Sequence, residues 1–180
     1  LTVKSAMQND INGVPWCLAD YLPGCGVNFL TMAENTHRAH KPFVRPTTFW
    51  WESPSGNRIL VNRPEHYMWA NQLGILTGEE TFARNLFNHL SDIREAGYPF
   101  PEYAIQFSGY LTDNSPPSTT ACALVESWNE RYVSPKLRLA AVGEFPETVS
   151  RKYGDELETV RGAWPDWWMD GFGSAALETG

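Results

Sequence analysis

The sequence lacks long apolar runs and an excess of basic residues, and each absence excludes a class of protein. No stretch of about 18 consecutive apolar residues occurs, so we predict no transmembrane helix. There is also no secretory signal with a basic start and an apolar segment. The chain has 14 Lys and Arg against 21 Asp and Glu, a net charge of −7. Binding to nucleic acid requires clustered cations that neutralise phosphates, so we do not expect nucleic acid as a partner. Because no apolar run is long enough to span a bilayer, we do not expect a membrane as a partner either.

Cysteine is also scarce and is not spaced for metal binding. Cys17, Cys25 and Cys122 form no pair of the Cys-x-x-Cys type, which is a common spacing of zinc ligands and redox pairs. An odd number of cysteines favours reduced thiols over a disulfide framework. We therefore expect a cytosolic setting, where thiols stay reduced.

The sequence does contain enough apolar residues for a core, and it is rich in tryptophan. Hydrophobic residues make up 42% of the 180 residues, which predicts one folded domain or part of one. Aromatic faces in polar loops suit ligands with apolar CH faces and a rim of hydroxyls, such as sugars. Tryptophans in such loops can instead attach the loops to the domain. The tryptophans in polar, Pro- and Gly-rich loops are Trp50, Trp51, Trp69, Trp164, Trp167 and Trp168.

Strand and helix patterns alternate along the chain, which is typical of a parallel sheet covered by helices. The predicted strands cover residues 2–7, 27–32, 49–52, 58–62, 103–107 and 136–142, with 49–52 and 58–62 forming a hairpin. The predicted helices cover residues 15–22, 79–96 and 117–132 and a stretch from 146 towards 160. We predict an α/β fold that forms a partial (β/α) barrel with parallel strands and outer helices. Four strand–helix units are too few to close a barrel, so we expect a fragment of a larger one.

Asp10 lies in a polar turn directly after the first predicted strand. In parallel α/β sheets, ligands bind and chemistry occurs at the carboxyl ends of the strands. A carboxylate on such a turn is accessible to substrate while the sheet holds it in place. Asp10 could instead cap the helix that begins at Pro15, because Asp is favoured at helix N-caps.

A second acidic residue, Asp113, follows another predicted strand, and Asp166 lies among tryptophans near the end of the sequence. Hydrolysis of a glycosidic bond usually requires two carboxyl groups that flank the bond, so these residues are candidates for that chemistry. Both could instead be ordinary turn residues. Polar and aromatic loops, which are more typical of sites than of connectors, also carry Tyr67, Trp69 and Tyr110.

Four segments in this order resemble the N-terminal domain of glycoside hydrolase family 38, the retaining α-mannosidases, and in particular its divergent bacterial relatives. Two of them are Asn-Asp-Ile-Asn-Gly-Val-Pro-Trp at 9–16 and Gly-Val-Asn-Phe-Leu-Thr-Met-Ala at 26–33. The others are Phe-Trp-Trp-Glu-Ser-Pro-Ser-Gly at 49–56 and Trp-Pro-Asp-Trp-Trp at 164–168 with Asp-Gly-Phe-Gly-Ser at 170–174.

The resemblance implies that residues 1–180 are a single domain, a fragment of a catalytic domain built as a seven-stranded β/α barrel. It implies an α-mannosidase-like glycosidase in which Asp10 is both nucleophile and zinc ligand. Asp113 would be the acid/base, and the other zinc ligands would lie in the remainder of the parent polypeptide, so the fragment alone would be inactive. The expected partner is a carbohydrate substrate, bound by Trp51, Tyr67, Trp69, Tyr110, Trp164, Asp166 and Trp167.

Two other functions are compatible with the sequence. A carbohydrate-binding domain on the same scaffold would use the tryptophans without catalysis. A metal-dependent carbohydrate deacetylase would hold zinc with one Asp and two His, which requires His37 and His40 to point towards Asp10.

Overall fold

A computed structural model describes residues 2–11, 13–33, 47–110, 114–164 and 177 of the chain. Among these residues the strands are β1 Ser5–Asn9, β2 Phe29–Ala33, β3 Thr48–Glu52, β4 Arg58–Asn62 and β5 Thr159–Arg161. The helices whose bounds lie within them are α1 Leu18–Gly24, α2 Trp69–Gln72, α3 Glu79–Glu95, α4 Thr120–Arg131 and α5 Glu144–Tyr153. Within these ranges no helix is both long enough and apolar enough to cross a membrane.

The strands form one sheet in the order β1-β2-β4-β3-β5. Neighbouring strands are parallel except for β3 and β4, which pair antiparallel as the predicted hairpin. The sheet is α/β in class, as predicted, but it is not closed, because β1 and β5 each have one neighbour within the described residues. The predicted partial barrel is therefore not confirmed, and the structure shows an open mixed sheet.

The chain divides into two compact units. The first unit comprises Leu1–His66 and Val142–Gly180, and the second comprises Tyr67–Ala141. All five strands belong to the first unit. That residues 1–180 form a single domain stays a prediction.

Two predicted strands, 103–107 and 136–142, are irregular in the structure. Both prediction errors have the same physical origin, because the backbone of each segment bonds to something other than a strand. The Asn129 side chain accepts from the Leu137 N–H at 2.9 Å and donates to the Leu137 carbonyl at 2.8 Å. The Gln106 carbonyl accepts a hydrogen bond from the Ala70 N–H at 2.9 Å, and Ile105 packs on the apolar cluster of the second unit.

The predicted long helix from 146 towards 160 is also wrong in its extent. It ends at Tyr153, and β5 begins only at Thr159, where it pairs parallel with β3. The Trp50 indole N–H donates to the Gly154 carbonyl at 2.8 Å and so fixes the end of α5 beside β3.

The core of the first unit lies on one face of the sheet and is covered by α1. Leu30, Ile59 and Val61 alternate along β2 and β4 and pack with Ala19 of α1. The period of two along a strand places these apolar residues on one face and their neighbours on the other. The second face carries the polar Thr31 and Asn62 together with the apolar Phe29 and Leu60.

The second unit is held together by helices. Trp128 of α4 is fully buried, stacks on Tyr132 at 4.1 Å between ring centroids, and meets Phe82 of α3 edge-on at 5.6 Å. Its indole N–H donates to the Pro135 carbonyl at 2.8 Å. The predicted amphipathic helix over 79–96 is confirmed as α3, and Phe82 on its apolar side packs against Trp128 of α4.

At the turn between β3 and β4, Asp20 of α1 holds the hairpin. Ser53 Oγ donates to the Asp20 carboxylate at 2.6 Å, Asn57 Nδ2 donates at 3.0 Å, and Ser55 donates as well. These hydrogen bonds lower the pKa of Asp20 below its ordinary value of 3.8, and the hydrogen bond from Ser53 has the largest effect. The charged Asp20 side chain therefore links α1 to the β3–β4 hairpin.

We expect Asp20→Asn to lower the melting temperature of the chain at pH 7. A depressed pKa in the folded state gives stability that is present above pH 3.8 and is lost as the pH falls through the lower, folded-state value. The difference between variant and wild type should therefore shrink when calorimetry is repeated below that pH. Asp92→Asn removes the same charge from an exposed position on α3 and should have little effect; equal losses in both variants would contradict the role of Asp20.

Candidate active site

Asp10 lies directly after the last residue of β1, at the carboxyl edge of the sheet, where β1, β2 and β4 end. Its backbone N–H donates to the Ala33 carbonyl at 2.9 Å, and its φ of 59° turns the chain out of the strand. The side chain is half-buried. Because α1 begins only at Leu18 with Cys17 as its N-cap, Asp10 does not cap that helix, and this alternative is wrong.

A row of polar side chains crosses the sheet just before its carboxyl edge. Thr31 of β2 is in register with Asn62 of β4, and Asn62 is in register with Thr48 of β3. The Thr48 hydroxyl donates to Asn62 Oδ1 at 3.3 Å. All three residues are at most 5% exposed. They lie on the face of the sheet opposite the apolar core, because their neighbours along each strand belong to that core.

Arg63 follows this row at the end of β4 and is 2% exposed. Its backbone N–H donates to the Thr47 carbonyl at 2.6 Å, which places Thr47 at the same edge. A cation buried to this extent requires polar or charged partners. The edge therefore combines a carboxylate, a guanidinium, hydroxyls and amides.

Sequence reasoning missed Thr31, Thr48, Asn62 and Arg63 as members of this edge. The signal was present in β4, where an apolar strand ends abruptly in Asn-Arg. Only the pairing of β2, β4 and β3, however, brings these residues from separate strands into one row. Strand order is a tertiary property that the local pattern did not contain.

Two of the predicted sugar-binding tryptophans are core residues. Trp51 is fully buried, and its indole N–H donates to the Gly162 carbonyl at 2.9 Å. Trp164 is 1% exposed and meets Trp51 edge-on at 6.0 Å between ring centroids. The Trp164 carbonyl accepts from the Val14 N–H at 2.9 Å. These contacts attach residues 162–164 to the rest of the first unit, which was the alternative role for the tryptophans.

In the second unit, Tyr67 is buried at 9% exposure, whereas Tyr110 is 52% exposed. Trp69 is half-buried, and its indole N–H points at the imidazole of His89, which is 8% exposed, with 3.1 Å to Nε2. Tyr110 therefore offers more accessible surface than Tyr67 or Trp69, the other two predicted residues that the structure describes in this unit.

Asn71 of α2 fixes the loop that carries Tyr110. Its Oδ1 accepts from the Ser108 N–H at 3.0 Å, and its Nδ2 donates to the Ser108 carbonyl at 3.4 Å. Gly109 follows with a φ of 56°, and a Cβ added there would lie 2.6 Å from the Pro116 carbonyl oxygen. The backbone at Ser108 and Gly109 therefore lies against Asn71 and the Pro116 carbonyl.

The remaining predicted residues lie outside the part of the chain that the structure describes. They are Asp113, Asp166, Trp167, His37 and His40.

The described residues do not by themselves fit a zinc ion. They contain no group of three or more His, Cys, Asp or Glu side chains that could hold a metal. Asp10 is the predicted ligand among them, whereas zinc sites use three or four protein ligands.

Comparisons with known proteins identify the family. The chain is similar to a solved structure of an alpha-mannosidase from Enterococcus faecalis V583, with 17% identity and a TM-score of 0.66 over 94% of this chain. It spans 19% of the length of that protein. No curated protein matches the chain. The sequence model of the glycosyl hydrolases family 38 N-terminal domain matches residues 1–168. The chain therefore belongs to the family of the glycosyl hydrolase family 38 N-terminal domain.

Proposed function

We propose that this chain is part of a retaining glycoside hydrolase that acts on α-mannoside-like glycans. The observation that carries the proposal is Asp10, a half-buried carboxylate at the carboxyl end of β1, in a chain of this family.

In this proposal, Asp10 attacks the anomeric carbon while an acid donates a proton to the leaving oxygen. The glycosidic bond breaks as the bond between Asp10 and carbon forms, which gives a covalent glycosyl-enzyme. The same acid, now a base, then takes a proton from water, which displaces Asp10 and restores the original configuration. Asp113 is the proposed acid/base.

A zinc ion in the intact protein is a further part of the proposal. Asp10 would supply one ligand, and the other ligands would come from outside the described residues. A protein-bound zinc ion can polarise and orient oxygen groups of a substrate. In both displacement steps, the bonds that form and break belong to Asp10, the acid/base, the sugar and water, and none of them involves the metal ion.

The first experiment is hydrolysis of a panel of 4-nitrophenyl α- and β-glycosides by the intact protein. We expect release of 4-nitrophenol from the α-mannoside, and proton NMR of the first-formed sugar should show the α-anomer. Treatment with EDTA followed by added zinc should remove and restore the activity. An initial β-anomer would contradict the double-displacement chemistry. Glycan binding without any hydrolysis would instead favour the non-catalytic carbohydrate-binding alternative.

We expect Gly109→Ala to reduce kcat/KM about tenfold to a hundredfold, the cost of misplacing a catalytic group by about 1 Å. The added methyl group would collide with the Pro116 carbonyl, and alanine disfavours a φ of 56°. Both effects displace the loop that leads to Asp113. Gly24→Ala is the matched control, because a Cβ there meets no atom within 4 Å. Unchanged kinetics for Gly109→Ala would argue that Asp113 is not the acid/base.

A further inference from the structure

Asn9, the last residue of β1, has a buried acceptor that the fold does not use. Its Oδ1 atom is inaccessible to solvent and makes no hydrogen bond within the described part of the chain. Its Nδ2 contacts Met7 Sδ at 3.5 Å, and thioether sulfur is only a weak acceptor. Buried side-chain oxygens are nearly always hydrogen-bonded in folded proteins, so each exception requires an explanation.

The position of this amide indicates its use. Asn9 immediately precedes Asp10 at the carboxyl edge and is in register with Ala33 of β2. The period of two places its side chain on the face of the sheet that carries Met7 and the polar row of Thr31 and Asn62. Asn9 is therefore a polar group next to the proposed nucleophile, on the sheet face that carries Thr31 and Asn62 as well as the apolar Phe29 and Leu60.

A second unused acceptor lies at the same edge. Thr47 Oγ1 is also buried and makes no hydrogen bond within the described ranges, and the Thr47 backbone bonds to Arg63 at the end of β4. The two oxygens are separate observations, because three strand spacings of about 4.8 Å each lie between β1 and β3 in the sheet, too far for one sugar hydroxyl to reach both. Both groups are neutral, so they suit neutral hydroxyls better than a cation, whose burial needs a compensating negative charge.

We propose that Asn9 is a specificity-determining residue whose side-chain oxygen accepts a hydrogen bond from a hydroxyl of the sugar that Asp10 attacks. This inference rests on the proposed function. The oxygen has no accessible surface in the free protein, so the Asn9 amide would have to rotate on sugar binding for a ligand hydroxyl to reach it. In the free protein the oxygen stays without a donor among the described residues, which lowers the stability of the fold.

The test compares wild type and Asn9→Ala on 4-nitrophenyl α-mannoside and its 2-, 3-, 4- and 6-deoxy analogues. On wild type, removing the contacted hydroxyl should lower kcat/KM about tenfold, the usual effect of one neutral hydrogen bond. Asn9→Ala should lose about the same factor on the parent glycoside. It should then show almost no further loss on that one analogue, while the penalties for the other analogues stay as in wild type.

Thermal stability separates this role from a structural one. Removal of an unpaired buried acceptor should leave the melting temperature unchanged or raise it, whereas loss of a structural amide would lower it. Asn9→Leu, which fills a similar volume, should behave like Asn9→Ala. Asn88→Ala, on the exposed side of α3, should keep every wild-type penalty.

The outcomes distinguish the inference from the proposed function. If wild type is active and the penalties for all deoxy analogues are the same in Asn9→Ala, the inference is overturned and the proposed function stands. A failure of both Asn9 variants to fold would show a structural amide and would also overturn the inference. If folded wild type hydrolyses no glycoside of the panel, the proposed function fails, and the inference fails with it.

Discussion

Asp10→Asn should abolish glycosidase activity in the intact protein, with a loss of at least about a thousandfold in kcat. A neutral carboxamide cannot form the covalent glycosyl-enzyme, and removal of the nucleophile of a double displacement eliminates both steps. The fold should survive, because the turn depends on the Asp10 backbone N–H, which donates to the Ala33 carbonyl. Asn also tolerates the left-handed backbone conformation that Asp10 adopts, with a φ of 59°.

A second variant tests the nucleophile role specifically. Asp10→Gly suits the same positive φ and leaves space for a small anion where the carboxylate was. With azide added, the anion should attack the anomeric carbon of an activated α-glycoside and expel 4-nitrophenolate, giving the β-glycosyl azide. Asp92→Asn serves as the control for a lost charge. Near-normal turnover by Asp10→Asn would contradict the assignment, and the absence of azide rescue in a folded, inactive Asp10→Gly would argue for a role other than attack.

Trp51→Ala should cost about 3–5 kcal/mol in the free energy of unfolding, the usual range for truncating a fully buried tryptophan. The indole is 0% exposed, meets Trp164 edge-on, and donates to the Gly162 carbonyl. Truncation would leave a cavity between β3 and residues 162–164 and would also leave the Gly162 carbonyl without its donor. Urea denaturation followed by circular dichroism measures the change.

Trp51→Phe is the matched variant, because it retains most of the buried ring and loses only the indole hydrogen bond and some volume. We expect it to cost clearly less than Trp51→Ala. A Trp51→Ala protein with unchanged stability but weakened glycan binding would contradict the core role. That result would restore the prediction that Trp51 contacts substrate.

The local sequence pattern predicted an element correctly where that element is stabilised by its own residues or pairs with the next element along the chain. The period of three to four over 79–96 predicted α3, because one apolar face of a helix is visible in sequence alone. The Ser-Pro-Ser-Gly-Asn turn predicted the β3–β4 hairpin for the same reason. Asp10 was placed after β1 because a polar turn follows the predicted strand.

By itself, then, the sequence determined the α/β class, the hairpin, α3 and the position of Asp10 at a strand end. Tertiary structure decided what depends on distant partners. Residues 136–142 have the composition of a strand, yet the Asn129 side chain takes both backbone groups of Leu137. Trp51 was predicted to contact sugar, yet pairing of β3 with β4 and β5 buries it. Burial and hydrogen-bond partners come from segments far apart in the chain, and local sequence does not encode which of them will meet.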